Sequence, residues 1–142
     1  MRQSGFRVVL CVLGSSFITA AMADGNIRAA ITNIKEEMGV VRVSLFPRNR
    51  AQDFPDGKAP EERELRARRD GVSVTFEGVA SGDYAVAAFH DKNNNGRIDK
   101  TALGIPKEPY GNSGKYSMRK PSFERSQFAV GSEDVELNIE LH

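Results

Sequence analysis

Three segments of the sequence alternate apolar and polar side chains with a period of two residues. They are residues 41–45 (VRVSL), 72–77 (VSVTFE) and 135–141 (VELNIEL). Side chains two residues apart lie on the same face of a β-strand, so each segment is predicted to be a strand with one buried and one solvated face. This pattern predicts an all-β chain, because no segment has a comparable period of 3.6 residues.

Three further segments complete the predicted strands. Residues 84–89 (YAVAAF) are apolar on both faces, as in a central strand, while 27–34 and 127–130 give weaker strand signals. The polar, glycine-containing runs 81–83 (SGD) and 131–134 (GSED) separate neighbouring strands and are typical of turns.

Residues 61–69 (EERELRARR) fit two local structures. Acidic and arginine side chains four residues apart would form ion pairs on a helix. Leu65 and Ala67 nevertheless alternate with arginines, as in a strand. We favour an edge strand, with the dipeptide 70–71 (DG) as the turn of a hairpin to residues 72–76.

The first 23 residues resemble a secretory signal peptide. Residues 1–7 carry two arginines, residues 8–20 are mostly apolar, and Ala21-Met22-Ala23 supplies the small residues that a signal peptidase requires. We expect cleavage after Ala23, which leaves a single domain of residues 24–142 in the periplasm or released from the cell. A membrane anchor that stays attached is the alternative.

Cleavage would also remove Cys11, the one cysteine of the sequence. The remaining chain could then hold no disulfide, zinc–thiolate site or cysteine nucleophile. It would contain 18 Lys and Arg against 19 Asp and Glu, a net charge of −1. This balance gives no support for nucleic-acid binding or for a polybasic membrane contact, and no stable membrane insertion is expected after cleavage.

A long loop follows the predicted central strand. Residues 91–123 are rich in Gly, Asn, Lys and Pro and have little periodicity. Loops of this length in compact domains are usually functional or disordered. We expect an ordered loop that folds over one end of the domain, with Ile105, Tyr110, Tyr116 and Phe123 as the side chains able to hold it in place.

The loop begins with the segment 89–99 (FHDKNNNGRID), whose polar residues have the spacing of a calcium-binding loop. Calcium prefers six to eight oxygen ligands, and alternate side chains in a tight turn can bring their oxygens together. Gly96 falls where such loops turn sharply. The predicted ligands are the side chains of Asp91, Asn93, Asn95 and Asp99 and the backbone oxygen of Arg97.

The calcium pattern is incomplete, because Ala102 stands where an EF-hand has its bidentate glutamate. A distant acid would have to complete the shell, with Glu108 as the first candidate and Glu124 as the second. The ion would be structural and bound with modest affinity. A turn without any metal is the alternative, since Asn95-Gly96 alone is a strong turn signal.

No catalytic residues are predicted. Two histidines, no cysteine after cleavage and no Gly-x-Ser-x-Gly motif leave little from which to build a hydrolase site. We therefore expect a protein that is not an enzyme. The alternative is a small metal-dependent hydrolase or carbohydrate-active protein that uses the loop carboxylates.

The segments GDYAVAAFHDKNNNGRIDKTALGIPKEPYGNSG (82–114) and PSFERSQFAV (121–130) resemble the bacterial domain of unknown function 2141 family. The resemblance covers nearly all of residues 24–142. It implies a single immunoglobulin-like or transthyretin-like antiparallel β-sandwich and no assigned activity. One departure is Asn112 before Ser113, where the family usually has an aromatic residue.

Together these features predict an exported, non-enzymatic binding or scaffolding module of the cell envelope. Its partner would be an envelope protein or a glycan, and the predicted structural calcium would hold its long loop. The sequence indicates neither the partner nor the oligomeric state.

Overall fold

The alternating segments form strands in the computed structural model, which describes residues 24–142. The predicted signal peptide lies outside the described residues. The eight strands are β1 (Gly25–Thr32), β2 (Val40–Pro47), β3 (Glu61–Arg66), β4 (Val72–Val79), β5 (Gly82–Asp91), β6 (Tyr110–Asn112), β7 (Phe128–Val130) and β8 (Val135–Glu140). Two short helical segments accompany them, a 3₁₀ helix at Arg48–Asp53 and α1 at Phe123–Ser126.

The strands form two sheets packed as a sandwich, which confirms the predicted all-β class. One sheet has the order β4-β1-β8, and the other has the order β3-β2-β5-β6 with β7 paired to the first residues of β5. All pairs are antiparallel except β1 and β8, which run parallel from Ile27 opposite Val135 to Thr32 opposite Glu140. The predicted antiparallel arrangement is therefore correct for every pair except this one, in which the first and last strands run side by side in the same direction.

The main core lies between the two sheets. It is formed by inward side chains at every second position of the long strands, among them Ile27, Val43, Phe76, Val86 and Ile139, all at most 1% exposed. The alternation therefore placed the buried faces of these strands correctly. Burial of this apolar surface is the main source of the stability of such a fold.

A second apolar cluster covers the outer face of the β2–β5 sheet. Phe46, Ala85 and Ala87 point outward and are buried by Phe54 and by Phe123 of α1. The rings of Phe46 and Phe54 lie edge to face with centroids 5.4 Å apart, and Phe54 meets Phe123 in the same way at 6.3 Å. This cluster explains why β5 is apolar on both faces.

The connection at residues 70–71 is a turn but not a hairpin, so that prediction was wrong. Strand β3 pairs with β2, whereas β4 pairs with β1 in the opposite sheet. The turn carries the chain across the sandwich, with Gly71 at φ +93°. The preference for an edge strand was correct for residues 61–66, since β3 lies at the edge of its sheet.

The long loop is ordered and contains a strand of its own. Strand β6 pairs with β5, and its Gly111 faces β8 so closely that a Cβ there would lie 2.5 Å from the Glu140 carbonyl oxygen. Phe123 holds the end of the loop as predicted, with 1% exposure. Tyr116 is more than half exposed but packs its ring against that of His142, with centroids 3.9 Å apart, whereas Ile105 is exposed and does not hold the loop. No helix among residues 24–142 is long and apolar enough to cross a bilayer.

Candidate functional site

The long loop leaves the sheet at Asp91, the last residue of β5, whose side chain is fully buried. Its carboxylate accepts three hydrogen bonds. Arg42 Nε donates to Oδ2 at 2.7 Å, the Gly96 N–H donates to Oδ2 at 2.9 Å, and the Asn95 N–H donates to Oδ1 at 3.1 Å. One carboxylate thus joins the sheet to the turn that follows it.

Arg42 reaches Asp91 from the neighbouring strand β2. Its guanidinium also donates to Glu64 at 2.7 Å, to Glu62 at 3.1 Å and to the side-chain oxygen of Asn94 at 3.1 Å. The hydrogen bond to Asp91 raises the pKa of Arg42, with further contributions from Glu64 and Glu62, and these outweigh the opposing effect of burial. Arg42 is therefore the central residue of an ion-pair network at the point where the long loop begins.

The same contacts set the charge state of Asp91. Burial raises the pKa of this carboxyl, but the hydrogen bonds from Arg42, Gly96 and Asn95 outweigh burial and hold the pKa below its usual value. Asp91 is therefore ionised in the folded protein at neutral pH. Removing either member of a buried pair leaves an uncompensated charge, which is strongly destabilising.

The turn itself needs residues that accept unusual backbone angles. Asn94 has φ +56° and Gly96 has φ +80°, both in the left-handed region. Glycine adopts this region without strain, and asparagine tolerates it better than most residues do. The run of asparagines and glycine thus has a conformational reason in addition to any ligand role.

Asn93, Asn95 and Asp99, the other predicted side-chain ligands in the turn, form hydrogen bonds with one another. The amide nitrogens of Asn93 and Asn95 donate to the two oxygens of Asp99 at 2.7 Å and 2.9 Å. The side-chain oxygen of Asn93 accepts from the Asn95 N–H at 3.2 Å, and that of Asn95 accepts from the Arg97 N–H at 3.0 Å. The side chains of Asp99 and both asparagines therefore converge on one side of the turn.

Glu108 connects the two ends of this turn through backbone groups. Its Oε1 accepts from the Lys92 N–H and its Oε2 from the Asp99 N–H, both at 2.9 Å, and its side chain is buried. The Asp99 carbonyl in turn accepts from the Lys107 N–H at 2.8 Å. Glu108 therefore lies at the predicted loop, where it joins the backbone at the start of the turn to the backbone at its end.

The side chains of the first-choice calcium ligands all lie at the turn, and each oxygen named above accepts at least one hydrogen bond from the protein. Glu124, the second candidate for the distant acid, lies in α1 instead. A bound cation would need the amide oxygens of Asn93 and Asn95 in place of their nitrogens toward Asp99. Residues 24–142 contain no cluster of three or more His, Cys, Asp or Glu side chains placed to hold a metal. Calcium binding stays a prediction.

His90 lies on the opposite face of β5 from Asp91, as expected for adjacent strand residues. Its ring is fully buried, and Nε2 is 2.7 Å from the Met38 carbonyl oxygen. Nδ1 has no hydrogen-bond partner within the described part of the chain. His90 and Asp91 do not form a dyad.

Arg42, the central residue of this site, is not marked by any sequence pattern. Its place among alternating apolar residues indicates an outward side chain, and outward arginines are usually solvated. Only the pairing of β2 with β5, which sets Val40 opposite Asp91, places Arg42 beside the carboxylate. A strand pairing of this kind cannot be obtained from alternation alone.

Asn112, the departure from the family pattern, also has a defined role. Its side-chain oxygen accepts from the Gly114 N–H at 2.8 Å and from Ser126 Oγ at 2.9 Å. Ser113 Oγ accepts from the Val86 N–H at 2.9 Å and donates to the Ser126 carbonyl oxygen at 2.5 Å. Polar contacts therefore join β6 to α1 at this position.

A shallow groove of about 180 Å³ lies between β6 and β8, with Tyr110, Asn138 and His142 in its walls. Small-molecule sites usually enclose about 300–1,000 Å³. The groove is thus smaller than an ordinary substrate pocket.

The fold and this site define a β-sandwich domain whose long loop is fastened to one sheet by a buried ion pair. The family model described as "Uncharacterized protein conserved in bacteria (DUF2141)" matches residues 29–138, and the chain belongs to this family. Comparison with curated proteins and with solved structures found no match.

The Asp91–Arg42 pair predicts a measurable acid sensitivity. Replacing Asp91→Asn should lower the free energy of unfolding by about 3 kcal/mol at pH 7, because the amide nitrogen faces hydrogen-bond donors and Arg42 loses its buried partner. Since the folded-state pKa of Asp91 is depressed, its contribution is complete above about pH 4 and is lost as the pH falls through the lower, folded-state value.

Urea unfolding of both proteins between neutral and acid pH measures this difference. Asp70→Asn is the matched control, since Asp70 pairs with Arg68 on the exposed surface. The control should behave like the wild type throughout. An Asp91→Asn protein as stable as the wild type at pH 7 would contradict the assignment.

Proposed function

We propose that this protein is an exported, non-enzymatic binding module of the cell envelope, in which the sandwich holds the long loop rigid and the loop presents the binding surface. The observation that carries this proposal is the contrast within the loop. Its acidic groups are used internally, whereas several of its large apolar side chains point into solvent.

The apolar side chains stand at two places in the loop. Leu103 is 87% exposed and Ile105 57% exposed in the 101–106 turn, and Met118 is 93% exposed further along. Scattered surface apolar residues need no explanation, but several on one loop are typical of an interaction site.

The 101–106 turn is held by hydrogen bonds and is not a loose tip. The Thr101 N–H donates to the Ile105 carbonyl at 2.8 Å, and the Gly104 N–H donates to the Thr101 carbonyl at 2.9 Å. Lys100 and Pro106 form a β-bridge at its base. A preformed turn loses little conformational entropy when its exposed side chains are buried by a partner.

The acidic residues of the loop support binding over catalysis. Asp91 and Glu108 are buried, and both oxygens of each accept hydrogen bonds from the protein, chiefly from backbone N–H groups. A metal-dependent hydrolase would need carboxylates directed at an open position for a water or substrate.

The proposed module includes a structural calcium ion at the 91–99 turn. The spacing of Asp91, Asn93, Asn95 and Asp99 along the turn supports this. The Arg97 carbonyl and Glu108 remain the other proposed contributors. The ion would brace the start of the loop and take no part in a reaction.

Calcium should raise the thermal stability of the chain from Asp24 onward. With calcium at ten times its dissociation constant, the gain is about 1.4 kcal/mol, equivalent to several degrees in Tm. Thermal unfolding with EDTA and with millimolar calcium measures it, with magnesium as the ion control. Asp99→Asn should lose the response. No shift at up to about 10 mM calcium would leave the turn metal-free.

The binding role predicts saturable association with the cell envelope. The chain from Asp24 onward, labelled with a fluorophore, should bind isolated bacterial envelopes, and Leu103→Asp with Met118→Asp should abolish most of this binding because a charge replaces each exposed apolar side chain. Met38→Asp is the matched control, since Met38 is an exposed methionine outside the loop. Equal binding by the loop variant and the control would contradict a binding role for the loop.

A further inference from the structure

The charges of residues 24–142 are segregated along the chain. Residues 97–120 hold six Lys or Arg and two Asp or Glu, a net charge of +4, whereas the whole described chain carries −1. The remaining residues therefore carry −5. The near-neutral total conceals a strongly basic loop on an acidic sandwich, and clustered basic charge of this kind attracts anionic surfaces.

The two acids of this basic segment form hydrogen bonds within their own turn. Glu108 is buried on backbone N–H groups, and Asp99 accepts hydrogen bonds from two asparagine amides. Lys107, Lys115 and Arg119 are exposed and have no ion-pair partner among residues 24–142. The charge that this loop presents to solvent is thus positive.

Two separate parts of the basic segment are brought together at one carboxylate. Asp56, from the connection between β2 and β3, forms ion pairs with Lys100 and with Lys120. Burial raises the pKa of Asp56, but the two ammonium groups outweigh this and lower it. Lys100 adjoins the 101–106 turn, and Lys120 lies two residues from Met118. Asp56 therefore ties together the two chain segments that carry the exposed apolar side chains.

The result is a surface on which apolar side chains stand among unpaired cations. We call it the docking patch, defined by Leu103, Ile105, Lys107, Lys115, Met118 and Arg119. Side chains of this kind suit the boundary of a lipid bilayer, where apolar groups enter the acyl region and cations remain among the headgroups. Attraction to anionic lipids adds to the insertion of a few apolar side chains, and neither alone gives firm attachment.

We propose that the docking patch binds the surface of a bilayer containing anionic phospholipid. This inference rests on the proposed function, because the same loop is the binding element, and it names the partner. The partner's negative charge follows from the unpaired cations of the patch. Its lipid nature follows from the side chains, because exposed apolar residues on short turns beside exposed cations suit insertion at the boundary of a bilayer.

Vesicle co-sedimentation tests this proposal directly. The chain from Asp24 to His142 contains both sheets and both apolar clusters, and it lacks the apolar segment 8–20, which would bind lipid by itself. It should sediment with vesicles of phosphatidylcholine mixed with phosphatidylglycerol and not with phosphatidylcholine alone. Binding should weaken as salt is added, since salt screens exposed charges.

Variants separate the two contributions. Lys107→Gln and Lys115→Gln should each lower the partition coefficient about fivefold. Leu103→Ser and Met118→Ser should each lower it by about three- to tenfold. Arg66→Gln and Met38→Ser are the controls, because Arg66 is an exposed arginine without an ion-pair partner in the described sandwich and Met38 lies outside the loop. Both controls should bind as the wild type does.

Two outcomes would overturn the proposal. If the wild type binds neither kind of vesicle but binds isolated envelopes through Leu103 and Met118, the partner is an envelope protein or glycan, and the proposed function stands without the lipid. If the controls lose as much vesicle binding as the patch variants, the association is non-specific. A protein that binds neither vesicles nor envelopes contradicts the proposed function as well.

Discussion

The ion pair between Arg42 and Asp91 is the contact on which the arrangement of the long loop depends. Asp91 ends the central strand β5, and its carboxylate orients the first turn of the loop through the Asn95 and Gly96 N–H groups. Arg42 holds that carboxylate from β2 and makes its burial tolerable by supplying the opposite charge. Without the arginine, a fully buried carboxylate would face only two backbone donors.

The Arg42–Asp91 ion pair fixes the position at which the rest of the loop begins. Glu108 closes the turn from behind, Asp56 draws two lysines of the loop together, and Phe123 returns the chain to the sheet. The carboxylates and asparagines that the sequence pattern predicts as metal ligands therefore form hydrogen bonds that hold the loop in place. The side chains that the loop leaves exposed are mainly apolar and basic ones that belong to no motif.

Much of the fold could be predicted from local patterns. Alternation identified the long strands and their buried faces, and the two-faced apolar run identified β5 as a central strand covered on both sides. Strand direction and sheet membership could not be obtained in this way, because the parallel β1–β8 pair and the crossing at residues 70–71 depend on contacts distant in sequence. Alternation is the same whichever neighbour a strand has.

The residues of the candidate site also differ in whether local sequence patterns could predict them. The acids and asparagines of residues 91–99 could be chosen from their spacing, and Glu108 from its place in the loop. Arg42 could not, since nothing near it in sequence distinguishes it from a solvated arginine. The basic character of the loop was hidden for a related reason. The net charge of −1 is the sum of an acidic sandwich and a basic loop. The two charges become apparent only when the charged residues are assigned to these two parts of the chain.

Amide hydrogen exchange followed by NMR tests the role of the Arg42–Asp91 pair most directly. In the wild type, the Asn95 and Gly96 N–H groups should exchange as slowly as those of the central strands, because a buried carboxylate accepts both. Arg42→Lys keeps the charge but loses the planar set of donors, and should speed exchange at these two amides by about tenfold or more while β1 stays protected. Fast exchange of both amides in the wild type would contradict the account.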